Sequence, residues 1–243
     1  MKTTIKAALS AVAILLISTC SFAASAKSNG MVIKDLNVNS FKEIEASSAI
    51  NVIYTQNTDK CSATVSMTQN AEERFEYSCD GKTLKIWLNS KDSNKSASIK
   101  VTVRISAPYL SDVKISGASN FNAKTLNQVN KKLELKCSGA STVRIEKAIL
   151  DKMDIECSGA SNVIISNLNC TKVEAEASGA SKVVLKGDTR EAEFDASGAS
   201  NINAENLKAS TGEIEASGAS KVVANILNLT KRETSGMSTI RNR

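Results

Sequence analysis

The sequence predicts an all-β fold, a parallel β-helix built from coils of about 20 residues. Three observations lead there. The tetrapeptide Ser-Gly-Ala-Ser recurs at Ser116–Ser119, Ser138–Ser141, Ser158–Ser161, Ser178–Ser181, Ser197–Ser200 and Ser217–Ser220, and an altered copy, Ser235-Gly236-Met237-Ser238, follows near the end. A fixed period of this length means units that bury their apolar side by stacking on their neighbours. The flanking segments alternate with a period of two, as in Met153, Ile155, Cys157 and then Val163, Ile165, which is the signature of strands with one buried face. Each unit has only about eight residues left over, too few for the amphipathic helix that leucine-rich or helical repeats require.

The first 26 residues read as an export signal. Lys2 and Lys6 precede an apolar stretch, Ala7–Ile17, and Ser21-Phe22-Ala23 or Ala24-Ser25-Ala26 would suit signal peptidase, with a mature start at Lys27 preferred. The apolar stretch is short for a membrane span. Leu16-Ile17-Ser18-Thr19-Cys20 is a second-choice lipoprotein box that would tether the chain at Cys20. One domain is expected over 27–243, with an irregular leading part, 27–110, and regular coils, 111–243. Localisation is expected in the periplasm, at the outer membrane or on the cell surface.

In the leading part, Phe41–Val52 repeats strand, small-residue bend and strand, with Ser47-Ser48-Ala49 as a degenerate corner. Further strands are expected at Cys61–Met67, Phe75–Cys79, Thr83–Leu88 and Ser98–Ser106. Asp80-Gly81 marks a turn between two of them, and Asn89–Lys95 reads as an exposed polar loop. In the regular coils, Gly117, Gly139, Gly159, Gly179, Gly198, Gly218 and Gly236 are the corner residues, where positive φ and close approach of the next coil are needed. The adjacent serines are expected to bond to backbone or to the same serine one coil away. Ile115, Cys137, Cys157, Ala177, Ala196 and Ala216 should form one buried column. Met237, Arg241 and Arg243 suit a terminal coil that must shield its open end.

The full chain carries 31 basic and 25 acidic residues, a net charge of +6, and no histidine. The basic residues are scattered, without a basic-aromatic stripe, which argues against nucleic-acid binding. Lack of histidine removes a histidine triad and histidine zinc ligands. Of five cysteines beyond the signal, Cys61 and Cys79 are expected to form a disulfide in an oxidising compartment. Cys137 and Cys157 are expected as free buried thiols, and Cys170 has no partner by spacing.

Two outward columns precede the corners. One holds Asp112, Glu134, Asp154, Glu174, Glu193 and Glu213; the other holds Lys114, Lys136, Glu156, Glu176, Asp195 and Glu215. Stacked like charges repel, so compensation is expected from Lys172, Lys182, Lys221 and Arg190. A solvated face is the plainer reading of this ladder; a weak calcium face or a landing strip for a basic partner is the functional one. Trp87, the single tryptophan, points outward by alternation. It is expected to cap the open first coil, with sugar stacking or a protein contact as the alternative.

Phe41–Val52, Asp80–Ile86 and Pro108–Ser119 with its later copies together resemble the GIN-domain family of exported bacterial proteins, described as putative autotransporter adhesin heads. The resemblance covers nearly all of the mature chain. It implies a right-handed parallel β-helix and an exported protein with no agreed catalytic residues. The function expected is a non-catalytic envelope or surface protein, an adhesin or binding module. Its partner would be an envelope glycan or a host or extracellular protein, and an oligomer is compatible with this. The alternatives are a purely structural envelope protein and, with less support, a polysaccharide-active enzyme using Asp154, Glu174 and Lys172. No cofactor is expected beyond weak surface calcium.

Overall fold

The computed structural model describes residues 23–28, 30–57, 59–90 and 99–243. The elements, in chain order, are β1 (Ala23–Ser28), β2 (Met31–Leu36), β3 (Glu43–Ala46), β4 (Asn51–Gln56), β5 (Ser62–Thr68), α1 (Gln69–Glu72), β6 (Phe75–Cys79), β7 (Thr83–Leu88), β8 (Val101–Ala107) and β9 (Asp112–Ile115). They continue with β10 (Asn120–Cys137), β11 (Thr142–Cys157), β12 (Asn162–Ala177), β13 (Lys182–Ala196), β14 (Asn201–Ala216), β15 (Lys221–Thr234) and β16 (Thr239–Asn242). The lipid box at Cys20 and most of the expected 89–95 loop lie outside the described residues. β1 spans both candidate cleavage positions and pairs antiparallel with β2.

The expected solenoid forms. From β10 to β16 every strand pairs in parallel with its counterpart one repeat later. Each long strand bends twice, and the burial pattern shows where. In β11 two exposed residues in succession, Glu146 and Lys147, break the alternation at the first bend. A coil therefore has three sides, with Val143, Ile145, Ala148, Leu150, Met153, Ile155 and Cys157 all buried inside.

The Ser-Gly-Ala-Ser copies stack at one corner. Their glycines all have φ between +68° and +72°, and amide Ala140 N donates to Gly117 O at 2.7 Å, a bond repeated through Met237 N to Gly218 O. The last serine of each of the six unaltered copies is buried despite its hydroxyl. Ser161 Oγ donates to Cys137 O at 3.0 Å and Ser181 Oγ to Cys157 O at 3.0 Å, so each corner is tied to the carbonyl before the previous corner. A buried hydroxyl is tolerated because it is bonded. The degenerate corner belongs to the same stack: Ser48 and Ala49 adopt positive φ, and Ser116 N donates to Ala46 O.

The expected column of Ile115, Cys137, Cys157, Ala177, Ala196 and Ala216 is buried throughout. Cys137 and Cys157 lie in register as free thiols, each Sγ within 3.3 Å of its own corner serine hydroxyl. Cys170 is also buried, its thiol donating to Thr189 Oγ1.

The leading part is less regular. Two stacks meet at β10. One runs β1-β2-β5-β8-β4, with antiparallel steps until β8 joins β4 in parallel; the other runs β6-β7-β3-β9. Asp80-Gly81 closes the antiparallel β6–β7 hairpin, and Asp80 Oδ1 accepts from Lys82 N and Thr83 N. The short helix α1, unsignalled by any period in the sequence, carries the chain from one stack to the other. Its Ala71 is buried, as are Met67 and Phe75 at the ends of the strands it joins.

Two expectations are corrected here. Trp87 does not cap the first coil: it lies on the outer face of β7, half-buried, with its indole bonded to Glu76. The Cys61–Cys79 bridge is not formed. Cys61 Sγ lies 3.4 Å from Phe41 N, from which it accepts, while Cys79 ends β6 as a free thiol.

At the other end, the shield differs from the one expected. Arg232 occupies the position in register with the buried Ile214, and its guanidinium donates to Ile240 O. Asn242 accepts from Ile226 N and donates to Ile226 O, so one side chain supplies the bonds a further strand would make. Met237 and Leu227 are exposed.

Candidate functional site

The two outward columns align as the period requires. Asp112, Glu134, Asp154, Glu174, Glu193 and Glu213 pair strand to strand, as do Lys114, Lys136, Glu156, Glu176, Asp195 and Glu215. The same sheet continues below β9 into β3, β7 and β6. Ser47 lies opposite Trp87 across the β3–β7 step, its amide donating to Ile86 O. Trp87 therefore stands at the foot of the column formed by the first serine of each corner. The ladder and the tryptophan share one face, about 19 Å apart at strand spacing between β7 and β11.

Part of the compensation of the acidic charge comes from a third column, Lys132, Lys152 and Lys172, in register two residues before the acids, of which sequence reasoning named only Lys172. Lys132 pairs with Asp154. Lys152 Nζ lies 2.8 Å from Glu174 and 3.3 Å from Asp154; Lys172 Nζ lies 3.0 Å from Glu174, 2.8 Å from Glu191 and 2.6 Å from Glu193. Lys136 bridges Glu134 and Glu156, both at 2.8 Å, and Lys231 holds Glu215 at 2.5 Å. The signal was the recurring Lys-x-acid-x-acid spacing of Lys152-Met-Asp-Ile-Glu156 and Lys172-Val-Glu-Ala-Glu176. Of the compensators expected, Lys172 serves. Lys182 and Lys221 lie beyond the corner on another side of the coil and, like Arg190, make no ion pair among the described residues.

The lysine column ends at Lys172, where Glu191 and Thr211 take its place. Glu213 therefore follows Thr211 rather than a lysine, while Glu176 and Asp195 stand in the second column, whose own lysines end at Lys136; none of the three makes an ion pair among the described residues. A shallow depression of about 170 Å³ lies between Glu174, Glu176, Glu193, Asp195, Glu213 and Glu215. It is followed by another of about 190 Å³ that reaches Ser158, Ser178 and Ser197. Burial and the neighbouring Glu215 charge raise the Asp195 carboxyl above its usual range. At Glu174 burial acts upward, but the two lysines outweigh it and bring the carboxyl to about 2.

These opposite shifts predict the acid response. A carboxylate depressed in the folded state stabilises above its unfolded pKa and loses that contribution as pH falls through the folded value. Glu174 should therefore withdraw stability between about pH 4.3 and pH 2, while Asp195, raised, destabilises when ionised and is relieved by protonation. Melting temperature followed from pH 6 to pH 2 should fall mainly below pH 4.5. The fall should shrink in Glu174→Gln and persist in Asp195→Asn.

Trp87 itself is half-buried. Its indole Nε1 donates to Glu76 Oε2 at 2.8 Å, and Asn89 Nδ2 donates to Glu76 Oε1 at 2.5 Å. On the β3 side, a hollow of about 290 Å³ is lined by Glu45, Ser47, Lys85, Ile86 and Trp87. Asp154, Glu174 and Lys172, the lyase-like alternative, are engaged in the ion pairs described and lie along a flat sheet. No group of three or more cysteines, aspartates or glutamates suited to a metal occurs among the described residues, and no helix among them is long and apolar enough to cross a membrane.

Fold and face together define a β-solenoid that presents one extended, periodic surface. The chain belongs to the family described as "Putative auto-transporter adhesin, head GIN domain", whose model matches residues 40–243. Similar solved structures include a putative lipid binding protein from Parabacteroides distasonis, 15% identical, with TM-score 0.75, covering 88% of this chain and 97% of that one. A putative adhesin from the same species is 19% identical with TM-score 0.73, covering 88% and 97%. Another from Bacteroides fragilis is 22% identical with TM-score 0.64, covering 89% and 98%. At these identities the likeness is one of fold. No curated protein matches the chain.

Proposed function

We propose that this exported protein is a non-catalytic binding module of the cell envelope or surface, an adhesin that engages its partner along the face from Trp87 to Glu215. The observation that carries the reading is the unneutralised block of Glu176, Asp195 and Glu213 beside the serine column, held on coils whose backbones are fixed by interstrand bonds. Stacked carboxylates without counter-ions cost stability at sheet spacing, and a basic partner laid along the column would remove that cost. The names of the similar adhesins support the reading. Acids spaced along a flat sheet do not converge as a general acid and base must, which supports a role without catalysis.

The partner class is an extracellular or host protein with a basic segment, or an envelope glycan. The mature protein should be retained by some members of a panel of extracellular-matrix proteins and envelope glycans. Glu176→Gln/Asp195→Asn/Glu213→Gln should weaken that retention at least tenfold without lowering the melting temperature. Calcium is proposed as a weak ligand of the same block. It should raise the melting temperature slightly more than sodium chloride of equal ionic strength, because a bridging cation neutralises repulsion that monovalent salt only screens. Unchanged retention by the triple variant would refute the site, and no retention anywhere would leave a structural envelope role.

A further inference from the structure

The hollow beside Trp87 combines features that the acidic block lacks. The indole is oriented before any ligand arrives, because Glu76 holds its N–H and Asn89 holds Glu76. Glu76 lies on β6, to one side of β7; the hollow lies on the other side, toward β3. One flank of the ring is thus occupied by its own support and the other borders open space. That space exists because the residue opposite Trp87 is the small Ser47. Its rim carries the Lys85–Glu45 ion pair, at 3.1 Å, both members half-exposed.

We propose that this hollow is a saccharide subsite that takes a neutral pyranose ring. The proposal deepens the binding-module reading and rests on it. A pyranose has an apolar C–H face that stacks on an aromatic ring and a polar edge that needs donors and acceptors, and the hollow supplies both within one ring's reach. Glu45, Lys85 and Ser47 provide the polar groups. The pairing of Glu45 with Lys85 leaves no net charge at the rim, which selects a neutral sugar over an anionic one. A volume of about 290 Å³ lies near the lower end of small-ligand pockets, about 300 Å³, which suits one ring of a longer chain. Pre-fixing the indole reduces the ordering cost of binding.

Trp87 is the only tryptophan in the chain, so its emission reports this site alone. The mature protein is titrated with cellotetraose, chitotetraose, maltotetraose and mannotetraose, and with polygalacturonate as the anionic comparison. At least one neutral tetrasaccharide should give a saturable change in emission. Ser47→Leu, which fills the hollow and keeps the fluorophore, should weaken that binding at least tenfold while circular dichroism remains that of the parent. Trp87→Ala, followed by calorimetry, should lose it. No change with any neutral sugar, equal binding by Ser47→Leu, or a response to polygalacturonate alone would overturn the proposal. The Glu176→Gln/Asp195→Asn/Glu213→Gln variant should keep the emission change. Loss of retention there with an unchanged sugar response separates the two sites, and a sugar response with no effect of the triple variant would sink the acidic block only.

Discussion

Gly187→Ala should destabilise the protein by about 3 kcal/mol or more, the largest effect expected of a single methyl group in this chain. β13 has 15 residues where β12 and β14 have 16, so one coil must close its third side with a residue fewer. Gly187 absorbs the deficit. It stands in register with Leu168 and Leu207, at φ +131°, and a Cβ there would lie 2.0 Å from Leu168 O and 2.6 Å from Leu168 N. Both obstacles are backbone atoms bonded into the ladder, so neither swings aside. The left-handed conformation alone costs a side chain roughly 1–2 kcal/mol, and the overlap adds roughly 1–3 kcal/mol. At roughly 2–4 °C per kcal/mol for a domain of this size, the melting temperature should fall by about 10 °C. Hydrogen exchange should rise first in β12 and β13, because coils stabilise one another through their neighbours.

Ala196→Leu should cost about 1–3 kcal/mol by overpacking, whereas Ala199→Leu should change stability by less than about 0.5 kcal/mol. The two alanines are three residues apart and face opposite ways. Ala196 is fully buried between Ala177 and Ala216 in the corner column, about 4.8 Å from each along the stack. Ala199 is exposed at the corner itself, and the last copy already carries a large residue, Met237, at that position with 83% exposure. Thermal unfolding of the two variants side by side checks the assignment of faces; equal losses would mean the column is not packed as described.

Much of this was legible because the repeat makes each column visible several times. The corner glycines, the buried cysteine-alanine column and the two charged columns all follow from period 20 combined with period two, and even Ser47-Ser48-Ala49 could be placed. What escaped has identifiable causes. The lysines that pair with Asp154, Glu174 and Glu193 sit only two residues upstream of that column, but the Lys-x-acid-x-acid spacing that marks them stops where their column changes to Glu191 and Thr211, so it does not run the length of the ladder. Arg232 stands in register with the buried Ile214 yet is exposed, so the inward alternation of the earlier coils does not hold in the last one. Trp87 was correctly turned outward by alternation, yet its neighbours come from Glu76 and Ser47, 11 and 40 residues away. Their meeting depends on β7 lying between an antiparallel and a parallel partner. The expectation that Cys61 and Cys79 pair rests on the oxidising compartment and on their lying outside the regular coils, and neither criterion carries their positions.

The most direct test of a non-catalytic binding face is the fate of a ligand that has been bound. A glycan or matrix protein captured by the mature protein is eluted after prolonged incubation and its mass compared with the input, alongside the Glu176→Gln/Asp195→Asn/Glu213→Gln variant. Saturable retention of an unaltered ligand, reduced at least tenfold in the variant, is the result expected. A ligand recovered shortened or eliminated across a glycosidic bond, with turnover that saturates, would contradict the account and put a catalytic site on this sheet.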